Sequence, residues 1–190
     1  MYAPLGGVLR YVYWIDRLGV EFVDAVRTSL LTVMMTSMTG LGSVTAGIVF
    51  VGLFYLAGWR EEFAKSVVAL SLLGVVVWGL MSLVERPFPP NPICITESDT
   101  GVTSSFPSGH AAAVTAYAMI ARDSDVLPFA VTAGFAGLIS FSRVYLGTHY
   151  LSDTLFGIGL GVVAVLFAEW LLDRVGEEAL LDLLPFETEL

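Results

Sequence analysis

From Thr28 to Gly58 the chain runs for 31 residues without a single Asp, Glu, Lys, Arg or His. As one straight helix this run would be about 46 Å long, well beyond the ~30 Å hydrocarbon core of a bilayer. A charge-free run of this length fits lipid better than water, and it has to bend or turn. The natural break is Thr39-Gly40-Leu41-Gly42-Ser43, where two glycines permit a tight turn.

The rest of the chain follows the same pattern. Apolar blocks run over Leu41–Trp59, Phe63–Val84, Gly109–Ala121, Val126–Phe141 and Tyr150–Leu172. An earlier block, Leu18–Thr39, carries Glu21, Asp24 and Arg27. Charged residues make up 14% of the sequence, against about 25% in an ordinary soluble domain. The expected fold is all-α: one polytopic transmembrane helical bundle over 1–190, with its core at about 24–172.

Six spans are expected, with five spans plus an interfacial N-terminal helix as the alternative. Six spans place Arg10, Arg17, Arg60, Lys65, Arg122 and Arg174 on one side, which the positive-inside rule makes cytoplasmic. Segments 85–107 and 143–149 then share the extracytoplasmic face. Five spans would put Arg10 and Arg17 outside. Arg27 would lie within the first span and has to snorkel or pair, for example with Asp24. Five prolines between 85 and 107 (Pro87, Pro89, Pro90, Pro92, Pro107) make that segment a rigid extended connector.

The net charge of −9 makes nucleic acid a poor partner. It fits solvated polar loops or adaptation to high salt, and the acidic tail at 173–190 (Glu177, Glu178, Asp182, Glu187, Glu189) fits both. The single cysteine, Cys94, allows no internal disulfide, and without a Cys/His cluster no structural zinc site is expected. Charges at Arg10, Asp16 and Arg17 interrupt any signal-peptide h-region, so no cleavable leader is expected.

Two clusters carry chemistry. In Phe106-Pro107-Ser108-Gly109-His110, Pro107 can open a helix whose first N–H groups point at a bound anion. Gly109 permits close backbone approach and Ser108 adds a hydroxyl donor; the plainer reading is a capping serine with no ligand. In the second cluster, His149 and Asp153 are four apart, which on a helix sets them one turn apart on one face. A carboxylate on one ring nitrogen fixes the tautomer and leaves the other nitrogen free to attack. A pair that merely satisfies itself is the plainer reading here. Arg86 and Arg143 lie on the side the positive-inside rule disfavours, as expected for ligands of an anion. These arginines would also repel a cation, so no metal is expected. Together these groups fit phosphoryl transfer through a phosphohistidine without cofactor: arginines and N–H groups hold the phosphate, one histidine attacks, and the other protonates the leaving oxygen.

Arg86-Pro87, Pro107-Ser108-Gly109-His110 and Ser142-Arg143-(five residues)-His149-(three residues)-Asp153 resemble the three signature motifs of the type 2 phosphatidic acid phosphatase superfamily. Thr39–Ser43 also looks like a stretch common upstream in that family. The resemblance implies a helical bundle with an extracytoplasmic site near the bilayer surface. It implies His149 as nucleophile, Asp153 as its orienting partner and His110 as general acid. Arg86, Arg143, Ser108 and the Gly109 backbone would hold the phosphate. There is one departure: the family's lysine seven residues before the motif arginine is Gly79 here, and the only lysine, Lys65, belongs to the other end of that span.

The expected partners are therefore the lipid bilayer and a lipid phosphate or pyrophosphate substrate. By analogy with small members of the family, polyprenyl pyrophosphate is slightly favoured over phosphatidic acid or phosphatidylglycerol phosphate. A phosphotransferase using the same residues, or a non-catalytic lipid-phosphate-binding protein, are the rival readings. A haloperoxidase is disfavoured because those relatives are soluble.

Overall fold

The computed structural model describes residues 3–93 and 104–176; Cys94 and the acidic residues from Glu177 onward lie outside them. Seven α-helices occupy the described residues: α1 (Ala3–Val26), α2 (Ser29–Thr39), α3 (Val44–Leu56), α4 (Arg60–Val84), α5 (Gly109–Arg122), α6 (Phe129–Tyr145) and α7 (Leu151–Val175). A 3₁₀ turn, Gly40–Gly42, joins α2 to α3. The all-α expectation holds.

Small residues set the packing. Helix α5 is rich in alanine, and Ala111, Ala112, Ala116 and Ala121 are almost wholly buried. It sits at the centre of the bundle against α4, α6 and α7. Across from it, Gly157 and Gly161 of α7 are one turn apart. A Cβ on Gly157 would stand 2.4 Å from the Ser108 carbonyl, and one on Gly161 would stand 2.4 Å from the Ala112 carbonyl. This is the small-xxx-small contact that lets two helix backbones touch. It also fixes the depth at which the start of α5 meets the start of α7.

Large apolar side chains point the other way. Val44, Ile48, Leu56, Val75, Trp78, Leu83, Val163 and Leu166 are exposed on α3, α4 and α7. Small residues inside and large apolar residues outside are the arrangement of a bundle solvated by lipid. Helices α4 and α7 are each long and apolar enough to cross a membrane. Helices α2 and α3 meet that test only together, as a pair bent by 54°, and α6 is a shorter apolar helix.

The block Leu18–Thr39, required by the six-span expectation, is not one helix. The chain leaves α1 after Val26 and starts α2 at Ser29, with the Thr28 hydroxyl accepting from the Leu31 N–H at 3.3 Å. Arg27 turns away from any span interior: its Nη2 donates to the Tyr145 carbonyl at 3.0 Å. The expected break at Thr39–Ser43 is present, but it bends the path instead of reversing it. Helix α1, with Arg10, Asp16, Arg17, Glu21 and Asp24, lies across one end of the bundle. Its inner face (Asp16, Gly19, Val20, Val23) meets Pro90, Val144, Tyr150 and Leu151. Its outer face exposes Tyr11, Trp14, Leu18 and Phe22 at helical spacing.

Candidate active site

The end of the bundle covered by α1 gathers both chemical clusters. Between α6 and α7 the chain makes a tight turn in which Gly147 has φ +66°, a left-handed conformation that favours glycine. The Thr148 N–H, the Thr148 hydroxyl and the His149 N–H all donate to the Arg143 carbonyl, at 3.1, 3.0 and 3.2 Å. His149 is thereby locked beside Arg143 and is almost fully buried.

The His149 ring is oriented by a group that no motif contains. Its Nδ1 lies 2.5 Å from the Ser105 carbonyl oxygen. A carbonyl can only accept, so Nδ1 carries the proton and Nε2 keeps a free lone pair. Burial, followed by the charge of Arg143, pulls the imidazole pKa down to about 3, so the ring is neutral at physiological pH. Ser105 is itself fixed, with its N–H donating to the Arg86 carbonyl at 2.8 Å and its hydroxyl to the Pro87 carbonyl at 3.1 Å.

Asp153 stands where the spacing placed it in the chain but does not make the expected contact. His149 precedes α7, so the two residues do not share a helical turn. Asp153, the third residue of α7, accepts the Tyr150 N–H on Oδ2 at 2.8 Å, and its Oδ1 meets Arg86 Nη1. In this structure the group in contact with His149 Nδ1 is the Ser105 carbonyl.

Arg86 is likewise committed. Its Nη1 donates to Ser152 Oγ at 2.9 Å and to Asp153, its Nη2 donates to Asp16 Oδ2, and its guanidinium lies 4.2 Å from the Tyr150 ring centroid. These bonds use three of the five N–H groups of its guanidinium. Arg143 donates from Nη1 to Thr39 Oγ1 at 2.8 Å.

His110 lies in the first turn of α5, close enough to interact electrostatically with Arg143 and His149. Ser108 caps α5: its hydroxyl accepts from the Ala111 N–H at 3.4 Å, and its own N–H donates to the Asp153 carbonyl at 3.1 Å. The helix-start N–H groups of Gly109 and His110 have no partner within the helix. Gly42 packs directly on His110, and a Cβ there would sit 3.1 Å from His110 Cδ2 and 2.8 Å from Ile139 Cγ2. The Thr39–Ser43 turn therefore touches both His110 and, through Thr39, Arg143. At the place of the missing lysine, nothing lies within 4 Å of a Cβ on Gly79. Lys65 sits at the far end of α4, 2.6 Å from Glu61. Among the described residues, no three His, Cys, Asp or Glu side chains are grouped to hold a metal.

Sequence reasoning brought together His149, His110, Arg143, Arg86, Ser108, Gly109 and Asp153. It missed Asp16, Ser105 and Ser152. Ser105 acts through its backbone and Asp16 comes from a distant helix, so local spacing carried no signal for either.

An all-helical bundle with apolar flanks and a buried His/Arg/Asp cluster at one end defines a class of membrane protein. Within that class, the chain belongs to the PAP2 superfamily, whose family profile matches residues 66–176. It is similar to decaprenylphosphoryl-5-phosphoribose phosphatase of Mycobacterium tuberculosis (strain ATCC 25618 / H37Rv), 38% identical over 79 residues, which is 42% of this chain and 44% of the relative. The chain thus matches less than half the length of that curated relative. Two crystal structures share the fold. The first is a transmembrane PAP2-type phosphatidylglycerolphosphate phosphatase from Bacillus subtilis, with TM-score 0.72, 22% identity and coverage of 92% of this chain and 98% of that one. The second is Aquifex aeolicus LpxE, with TM-score 0.66, 23% identity and coverage of 78% and 91%.

Proposed function

We propose that this protein hydrolyses a lipid phosphate monoester or a polyprenyl pyrophosphate through a phosphohistidine intermediate on the extracytoplasmic face. The observation that carries the reading is His149: a buried neutral imidazole whose Nε2 is free and which sits beside Arg143 and His110. Nε2 attacks phosphorus as the P–O bond to the leaving group breaks, and His110, protonated once the phosphate anion is bound beside it, gives its proton to the leaving oxygen. Water, giving its proton to the now neutral His110, then attacks phosphorus and the P–Nε2 bond breaks, which releases phosphate, frees His149 Nε2 and returns His110 to its protonated form. Arg143 and the N–H groups at the start of α5 hold the equatorial oxygens. Arg86 contributes charge from behind Asp153, and Asp153 keeps the first turn of α7 in place. Ser108 and Gly109 shape the backbone cradle.

The names of the relatives support a lipid-linked substrate, one of them with a polyprenyl chain. The topology that best fits the bent α2–α3 path is five spans, with α1 lying in the interface on the site side. Its stripe of Tyr11, Trp14, Leu18 and Phe22 would face the acyl boundary. Arg60, Lys65, Arg122 and Arg174 then mark the cytoplasmic end.

One rival has specific support. Gly79, standing where the family has a lysine, leaves one cation fewer to hold the phosphate, which favours a non-catalytic lipid-phosphate-binding protein. The test is phosphate release from polyprenyl pyrophosphate and phosphatidic acid by protein in detergent, with chelator, at low and high salt, beside His149→Ala. Release that resists chelator and is lost in the variant supports the phosphatase. Lipid binding without release supports the binding protein, and transfer to an acceptor without free phosphate supports a phosphotransferase.

A further inference from the structure

Asp16 belongs to no motif, lies on a helix outside the matched family region, and is buried with 2% of its surface exposed. A carboxylate taken out of water this far needs partners, and Asp16 has three of them, all at the site. Its Oδ1 accepts the Ser152 N–H at 2.8 Å, and its Oδ2 accepts the Ser152 hydroxyl at 2.7 Å and an Arg86 N–H. Ser152 is the second residue of α7, so its N–H is one of the helix's orphan donors. Asp16 thus caps α7 from another helix, where its negative charge suits the positive end of the helix. Arg86 is gripped at both ends of its fork, by Asp16 on Nη2 and by Asp153 and Ser152 on Nη1. The Arg86 carbonyl receives the Ser105 N–H, and the Ser105 carbonyl holds His149 Nδ1. An unbroken chain of bonds therefore runs from α1 to the imidazole.

We infer that Asp16 is a positioning residue for the phosphoryl-transfer reaction, acting through Arg86. Helix α1 is then a working wall of the site, and its seating on the bundle sets the register of Arg86, Ser105 and His149. This role rests on the phosphatase reading above. An alternative action of the same contact, in which Asp16 competes with the phosphate for Arg86, predicts the opposite sign.

The experiment is a double-mutant cycle of Asp16→Asn and Arg86→Gln in the full chain. It is read as kcat and KM on a lipid phosphate and as melting temperature in detergent. Asp16→Asn should lower kcat about tenfold with KM changed less than about threefold, and should add almost nothing to Arg86→Gln, as expected for residues acting as one unit. Asp16→Glu, which keeps the charge, should recover part of the loss. Glu21→Gln on the same helix, where Glu21 pairs only with exposed Arg17, should match the parent protein. Multiplicative losses, an unchanged kcat, or a faster Asp16→Asn variant would overturn the inference, the last of these in favour of competition. If Asp16→Asn does not fold, Asp16→Glu and Ser152→Ala replace it in the cycle with the same expected non-additivity. If the parent protein releases no phosphate from any lipid, the phosphatase reading fails. The melting data then decide the remainder: coupling keeps Asp16 as the grip on Arg86, and additivity removes it.

Discussion

The two ends of the bundle handle charge in opposite ways. At the end away from His149, the closest ion pairs are between near neighbours in sequence, Lys65 with Glu61 at 2.6 Å and Arg122 with Asp123, while Glu169 lies 3.9 Å from both cations. Exposed pairs of this kind cost little to make and contribute little to stability. Around Arg86, at the α1 end, the pairs are long-range and dry. Asp16, Arg86 and Asp153 come from three elements, and both carboxylates are almost sealed from solvent. A buried cluster of that kind is a poor source of stability for its desolvation cost, whereas the one buried carboxylate described at the far end, Glu62, takes a neutral partner, the Ser124 hydroxyl. The difference separates local pairs that solvent can reach from a cluster that only the tertiary fold assembles.

This contrast can be broken by substitution. The largest effect is expected for Arg143→Ala, which removes the cation beside His149 and should cut kcat by about 10²–10³-fold, the scale of losing one transition-state donor; steady-state turnover measures it. Gly157→Ala comes next. Its new Cβ would meet the Ser108 carbonyl at 2.4 Å, forcing α5 and α7 apart at the site. A loss of about 1–3 kcal/mol in stability, read by thermal melting, should accompany reduced turnover. Smaller still is a pH effect. Burial holds the folded-state pKa of His149 down at about 3, below the ordinary histidine value of 6.5, so between those values the unfolded chain binds the extra proton. Stability should therefore fall as pH drops from 6.5 toward 3, and His149→Gln should flatten that slope in a melting series. Smallest is Arg122→Gln at the far end, expected to leave both melting temperature and turnover at the parental values.

Most of the site was legible in the sequence because its chemistry sits in short motifs whose residues are rare elsewhere in the chain. With only two histidines and four apolar flanks converging on them, His110 and His149 had few alternative roles. The all-helical bundle was legible for a similar reason, since charge-free runs leave few folds. What escaped was tertiary. The Asp153 carboxylate was expected on His149 from a four-residue spacing, but a helix that starts at Leu151 leaves His149 outside it. Ser105 holds the ring through a backbone carbonyl, which carries no residue signature. Asp16 looked like one more charge on an amphipathic helix until α1 was seen lying across the site. The Leu18–Thr39 block was apolar enough to suggest a span, but Arg27 and Thr28 bond to Tyr145 and break it.

The central claim is that His149 carries the phosphoryl group. Brief incubation of the protein with a ³²P-labelled lipid phosphate, quenched under alkaline denaturing conditions, tests it most directly. The account predicts label bound to the protein, lost on acid treatment and absent from His149→Ala. Phosphate release by the parent protein with no bound label, or label that persists in His149→Ala, would contradict it.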